Sequence, residues 1–244
     1  MTKMYEAKNH ILIHTDDIQP EEHKHGAAHI MVSIDGTMRV ASRNVEYVCR
    51  GVVIPSGTLH KVETFGKSVL VFLYDSTTVV SDQIKEIQCI SKECCEAIVE
   101  AYLVFEKQCN AENYCEFEND VLSHLGFETS ICSEIDERIV SSMKYIRSRI
   151  TEEITCEECA QNALLSQSRF SHLFKEQVGM TFASYVVYQR ILYVYYEILR
   201  GRSITEAALE AGFCSSSHFA DVNRRIFGIS ASSIIENLEF IKVG

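Results

Sequence analysis

Residues 203–228 read Ser203-Ile-Thr-Glu-Ala-Ala-Leu-Glu-Ala-Gly212-Phe-Cys-Ser-Ser-Ser-His-Phe-Ala-Asp-Val-Asn-Arg-Arg-Ile-Phe-Gly228. The stretch 154–179 is an earlier copy: Ile154-Thr-Cys-Glu-Glu-Cys-Ala160-Gln-Asn-Ala-Leu-Leu-Ser166-Gln-Ser-Arg-Phe170-Ser-His-Leu-Phe-Lys-Glu-Gln-Val-Gly179. Ala160 falls on Ala208 at an offset of 48, while Phe170 falls on Phe219 and Gly179 on Gly228 at 49, so one extra residue sits in the second turn. Each copy reads as a short helix, a tight turn and a second helix. The small side chain of Ala160 or Ala208 lets the second helix cross closely. Gly212 supplies a positive φ, and Ser166 or Ser215 caps the helix that follows. That helix buries Phe170, Leu173 and Phe174 in one copy, Phe219 and Val222 in the other. Its opposite face presents Gln167, Ser168, Arg169, His172 and Lys175, or Ser216, Ser217, His218, Asp221, Arg224 and Arg225. Polar and basic helical faces of this kind suit base edges and phosphates in a DNA major groove. Two helical hairpins without a nucleic-acid role are the alternative, and two copies in register argue against it.

Working outward, residues 10 to 75 read as short strands: Ile11–His14, Ile30–Ile34, Thr37–Val40, Val45–Val48, Gly51–Ile54 and Val69–Tyr74, separated by Asp35-Gly36, Pro55-Ser56-Gly57 and Phe65-Gly66. Many short strands with regular turns predict a small sandwich or barrel. From Ser81 the period becomes helical, with Ile84, Ile87, Cys94, Ile98, Ala101, Tyr102 and Phe105 at three- and four-residue steps. A second helix is expected over Glu116–Leu125. Gly126 and Thr129-Ser130 interrupt the period. The expected organisation is therefore a sensor domain over 1–80, linker or dimerisation helices over 81–132, and an all-α domain over 133–244. The stripe Ile87, Ile90, Ile98, Tyr102 and Phe105 is the candidate dimer surface, or core.

The net charge of −11 is unevenly placed: residues 1–134 hold 11 Lys and Arg against 21 Asp and Glu, and residues 135–244 hold 12 against 13. A near-neutral second half can still present a local basic face, although non-specific DNA affinity should be weak. No apolar run is long enough for a membrane span. Met1–His10 lacks the apolar core of an export signal, so a cytoplasmic protein is expected. Ten cysteines then read as reduced, small apolar side chains. Cys156-x-x-Cys159 has zinc-knuckle spacing, but no second pair or nearby histidine completes four ligands.

Two resemblances extend this reading. Leu165-Ser166-x-Ser168-x-Phe170-Ser171-x-Leu173-Phe174-Lys175-x5-Met180-Thr181-Phe182-x-x-Tyr185-x4-Arg190 resembles the first helix-turn-helix unit of the AraC/XylS regulators. Ile204-x-x-Ala207-Ala208-x-x-Ala211-Gly212-Phe213-x-x-x-Ser217-His218-Phe219-x5-Arg225-x-Phe227-Gly228-Ile229-Ser230 resembles the second. Over residues 135–238 the resemblance implies seven helices, with a long one over about Phe182 to Leu199 setting the spacing of the units. It further implies binding to double-stranded promoter DNA, contact with RNA polymerase and regulation of transcription, usually activation. The chain departs from the pattern at Ala231, where proline is usual. Asn223 replaces an aromatic core residue, Asp221 stands at a DNA-facing position, and the linker helix carries a bulky run, Tyr193 to Tyr196.

His23-x-His25-x3-His29-x6-Gly36 followed by Pro55-x-Gly57-x-x-His60 resembles the two cupin motifs. The fold expected is thus α+β, with an N-terminal cupin-like β-barrel, linker helices and an all-α domain holding two helix-turn-helix motifs. In metal-binding cupins the positions of His23, His25, His29 and His60 converge, which would suit Zn, Ni, Cu or Fe. Cupin domains of such regulators also occur with histidine remnants and no metal, holding a small-molecule effector or nothing. The functional expectation is a non-enzymatic regulator, with a homodimer as one state. The competing class is a cupin-type metal-dependent enzyme or a metal sensor with a degenerate DNA-binding domain.

Overall fold

A computed structural model describes residues 2–16, 18, 22–24, 26–128, 135–227 and 238–243. Its strands are β1 (Thr2–Glu6), β2 (His10–Thr15), β3 (Ala28–Ser33), β4 (Met38–Ser42), β5 (Val45–Cys49), β6 (Gly51–Ile54), β7 (Lys61–Glu63), β8 (Val69–Tyr74), β9 (Gln88–Ile90) and β10 (Leu238–Lys242). Its helices are α1 (Val79–Gln83), α2 (Lys92–Lys107), α3 (Ala111–His124), α4 (Glu137–Ser148), α5 (Cys156–Asn162), α6 (Gln167–Val178), α7 (Phe182–Leu199), α8 (Ile204–Glu210) and α9 (Ser216–Phe227). The chain divides into two compact units. One comprises residues 1–76, 80–129 and 225–244, the other 77–79 and 130–224.

The first unit holds a seven-stranded sheet in the order β10-β1-β2-β8-β3-β6-β9 and a three-stranded sheet in the order β5-β4-β7. The fold is α+β, as expected, but the strands lie in two sheets and not in a closed barrel. The chain changes sheet at Arg50, between β5 and β6. Gly51 makes that step possible, because a Cβ there would stand 2.6 Å from the Cys95 sulfur. Arg50 secures it by donating to Ser33 O (3.2 Å) and Ile34 O (3.0 Å). The end of the chain also returns to this unit. β10 pairs in parallel with β1 from Thr2↔Leu238 to Glu6↔Lys242, and Val243 N–H donates to Glu6 O at 2.9 Å.

Hydrophobic burial fixes α2 and α3 on the sheet. Ile98, Tyr102, Phe105, Tyr114 and Phe117 join Tyr5, Leu12, Ile30, Leu70 and Phe72 in one core. Ile98, Tyr102 and Phe105, three of the five residues in the stripe expected as a dimer surface or core, are therefore interior. Two polar relays cross the same contact. His14 Nδ1 meets the Tyr102 hydroxyl at 2.8 Å, and that hydroxyl donates to Glu106, which also takes Lys3 at 2.6 Å. His10 Nε2 meets the Tyr114 hydroxyl at 2.7 Å, and its ring stacks on Tyr74 at 4.4 Å. Tyr74 in turn donates to Glu118.

Burial lowers the pKa of His10 and His14, with Glu118 and Glu106 opposing the shift. Burial takes His60 down to about 4. Folding therefore keeps these imidazoles neutral where an unfolded chain, with histidines titrating near about 6.5, takes up protons. Stability is complete above that value and falls as pH drops below it, levelling off only once the folded-state groups titrate. Urea titrations from neutral pH to about pH 5 should show a falling midpoint, and His10→Gln should flatten the fall; an unchanged slope in the variant would remove His10 from the account.

Candidate nucleic-acid interface

The second unit contains α4 to α8 and α9 through Arg224. Its first helix-turn-helix is α5 and α6. Thr155 caps α5 by accepting from Glu158 N, and Ala160 lies buried where α6 crosses. In the turn, Leu164 N–H donates to Gln161 O and Leu165 N–H to Ala160 O. The second helix-turn-helix, α8 and α9, repeats both bonds at the same offset: Gly212 N–H to Leu209 O and Phe213 N–H to Ala208 O. A capping box, Ser203 with Glu206, starts α8. Ser166 and Ser215 then accept from Arg169 N and His218 N to start α6 and α9. The extra residue is Cys214, whose N–H donates to His218 Nδ1 at 3.2 Å, so that nitrogen is engaged locally.

The two turns need the same left-handed backbone. Gly212 has φ 84°, and its counterpart Leu164 has φ 54° with 90% of its surface exposed. The sequence signal for this position is absent from the first copy, because leucine does not announce a positive φ. Leu164 gains little burial and pays backbone strain. Leu164→Gly should raise the thermal stability of this unit by on the order of 0.5–1 kcal/mol, read by calorimetry; a loss would mean that Leu164 makes a packing contribution larger than its strain.

The buried faces are as expected: Phe170, Leu173 and Phe174 in α6, Phe219 and Val222 in α9. Gln167, Ser168, Arg169, His172 and Lys175 form one exposed face on α6, and Ser217, His218, Arg224 and Arg225 are exposed on α9, with Ser216 half-buried at its start. His172 stands 3.6 Å from Glu176, and Asp221 is exposed among the α9 cations, so both faces mix charges. Gly179, with φ 83°, ends α6 and leads into the 18-residue α7, whose bounds are those expected. A helix of that length spans roughly 27 Å. Six of the seven helices expected over 135–238 are among the described residues, and Ala231 lies outside them.

Two departures from the family pattern prove to be one contact. Asn223 is fully buried, and the Tyr195 hydroxyl donates to its Oδ1 at 2.7 Å. Burial pushes the Tyr195 phenol well above its usual pKa, which keeps it a donor. The Tyr195 ring also packs edge-on against Phe219. A polar residue in the core of α9 is thus matched by a tyrosine of α7, and the pair fixes where α9 sits. Arg190 is a second positioning residue. It donates to Glu152 O at 3.1 Å, and a Cβ on Gly212 would meet its guanidinium at 3.1 Å, so it reaches from the loop ahead of the first copy to the turn of the second. Tyr195→Phe should cost about 1–2 kcal/mol in chemical denaturation, and adding Asn223→Leu should recover part of it; simple additivity would show that the two are not coupled.

In the first unit, His23 and His60 bridge through their backbones, N–H to O at 2.9 and 3.0 Å. Their rings lie 4.5 Å apart, and His29 meets His60 edge to face at 5.1 Å. His25 lies outside the described residues. Among the described residues no three His, Cys, Asp or Glu side chains are grouped so as to hold a metal ion. Cys159 is core, as read, and Cys156 lies beside Ser171 at 3.2 Å. Among the described residues no helix is long and apolar enough to cross a membrane.

The comparisons agree with the geometry. Residues 159–237 match a family model described as a helix-turn-helix domain. The probable transcriptional regulator LumQ of Photobacterium leiognathi is 34% identical over 87 residues, which is 35% of this chain and 35% of that protein. The virulence regulon transcriptional activator VirF of Yersinia enterocolitica is 39% identical over 64 residues, 26% of this chain and 24% of that protein. The matched segment is therefore about a third or less of these relatives. Over the whole fold, ToxT of Vibrio cholerae superimposes with a TM-score of 0.53 at 15% identity for its K231A form, covering 95% of this chain and 98% of that one. A second ToxT structure gives 0.52 at 11%. The fold and its paired units define a two-unit α+β protein. Its C-terminal segment, residues 159–237, matches a helix-turn-helix domain.

Proposed function

We propose that this chain is a DNA-binding regulator of transcription, an activator, in which the β-rich unit senses a small molecule and the paired units occupy double-stranded promoter DNA. The observation that carries the reading is the repeated helix-turn-helix, with the same turn bonds, the same serine caps and an exposed polar face on the second helix of each copy. Its relatives LumQ and VirF are described as transcriptional regulators. Contact with RNA polymerase and a homodimer belong to the same proposal. The alternative of a cupin-type metal-dependent enzyme or metal sensor is not favoured, because the relatives over the helix-turn-helix segment are described as transcriptional regulators.

The two faces are unequal. α6 offers Arg169 and Lys175 with Gln167 beside them, whereas Asp221 sits on α9 against phosphate. Sites selected by the full chain from randomised duplex DNA supply the test. Arg169→Ala should weaken binding to the selected site by about 1–3 kcal/mol and relax one base position. Asp221→Asn should tighten binding and steepen its salt dependence. If no sequence is enriched, or if Arg169→Ala and Arg225→Ala together leave site-specific binding intact, the assignment fails.

A further inference from the structure

The outward side of the α2–α3 hairpin carries a groove of about 630 Å³ in the first unit. Ala97, Ala101 and Val104 line it from α2, and Glu116, Phe117 and Asp120 from α3. These positions recur at three- and four-residue steps, so the lining follows both helix axes over roughly two to three turns. The floor is apolar, and the small Ala97 and Ala101 leave room above it. Val104 is 64% exposed in this groove, on a helix whose other face is packed into the core.

The rim is predominantly acidic, with Glu100, Glu116 and Asp120 against the single lysine Lys107. Residues 92–124 hold eight carboxylates against two lysines. Glu106 and Glu118 are taken up by the relays to Tyr102, Lys3 and Tyr74, and Glu96 by Arg50 and Lys92. Glu100, Glu116 and Asp120 are exposed on the rim, and among the described residues no ion pair joins them to a basic group. An apolar floor with acidic walls is the complement of an amphipathic helix with lysine or arginine flanking an apolar stripe. A second copy of the same hairpin would bring the same excess of carboxylates to the contact.

We infer that the α2–α3 groove is a docking site for a basic amphipathic helix of a partner protein. Such a helix would lay its apolar stripe on Val104 and the alanines, with its cations against Glu100, Glu116 and Asp120.

The test uses the full chain and a fluorescein-labelled amphipathic peptide of about four turns, leucine on one face and lysine on the other. The controls are a scrambled peptide of identical composition, Val104→Asp, and the double reversal Glu100→Lys with Glu116→Lys. Both variants lie on exposed positions, and circular dichroism checks that they fold. Saturable binding that drops about tenfold or more in each variant and with the scramble is the expected result. No binding, equal binding by the scramble, or equal affinity for either variant would overturn the inference. So would a wild-type dimer that Val104→Asp separates and the peptide does not disturb, because that face would then belong to a second copy.

Discussion

Each helix-turn-helix copy depends on one constraint: two helices cross at a buried alanine, and the chain turns between them through a residue with left-handed backbone. Ala160 and Ala208 are 2% and 0% exposed, and Leu164 and Gly212 take the positive φ. Once that crossing is set, the turn bonds, the serine caps and the facing of α6 and α9 follow, because a helix started in one direction presents fixed residues at fixed angles. The second copy meets the constraint with glycine. The first meets it with leucine and carries the strain, which a fully packed neighbourhood around Phe170 and Phe174 holds in place.

The first unit solves a different problem. Its sheet must bury one face against two helices while polar side chains remain in the contact. Tyr74, Tyr102 and Tyr114 do this by placing rings in the core and hydroxyls on His10, His14, Glu106 or Glu118, and the Tyr5 hydroxyl meets that of Tyr102. Neutral imidazoles serve as both donor and acceptor, so the relays close without a buried net charge. The acidic residues left over on the outer faces of α2 and α3 account for much of the negative charge of the chain's first half.

Pairing of unusual residues recurs. Asn223 in a core position looked unfavourable in isolation, and so did the bulky run through Tyr195. Together they make one buried hydrogen bond, and neither residue is explicable without the other. The histidines of the cupin-like motif show the opposite outcome: His23, His29 and His60 come together as tilted and edge-on rings, and the strands around them form open sheets.

The resemblance to the AraC/XylS regulators implied the bounds of α7. The sequence by itself determined the paired units, the identity of the exposed and buried faces of α6 and α9, and the α+β class. All of these rest on contacts within about a dozen residues, where helical period, caps and small residues leave a readable mark. It could not determine that β10 lies beside β1, that Ile98, Tyr102 and Phe105 face inward, or that Tyr195 answers Asn223. Those pairings join residues such as Thr2 and Leu238 that are far apart in the chain. Only the tertiary structure decides them, because strand order and cross-helix partners are set by competition among many apolar faces of similar burial energy, and period alone does not rank them.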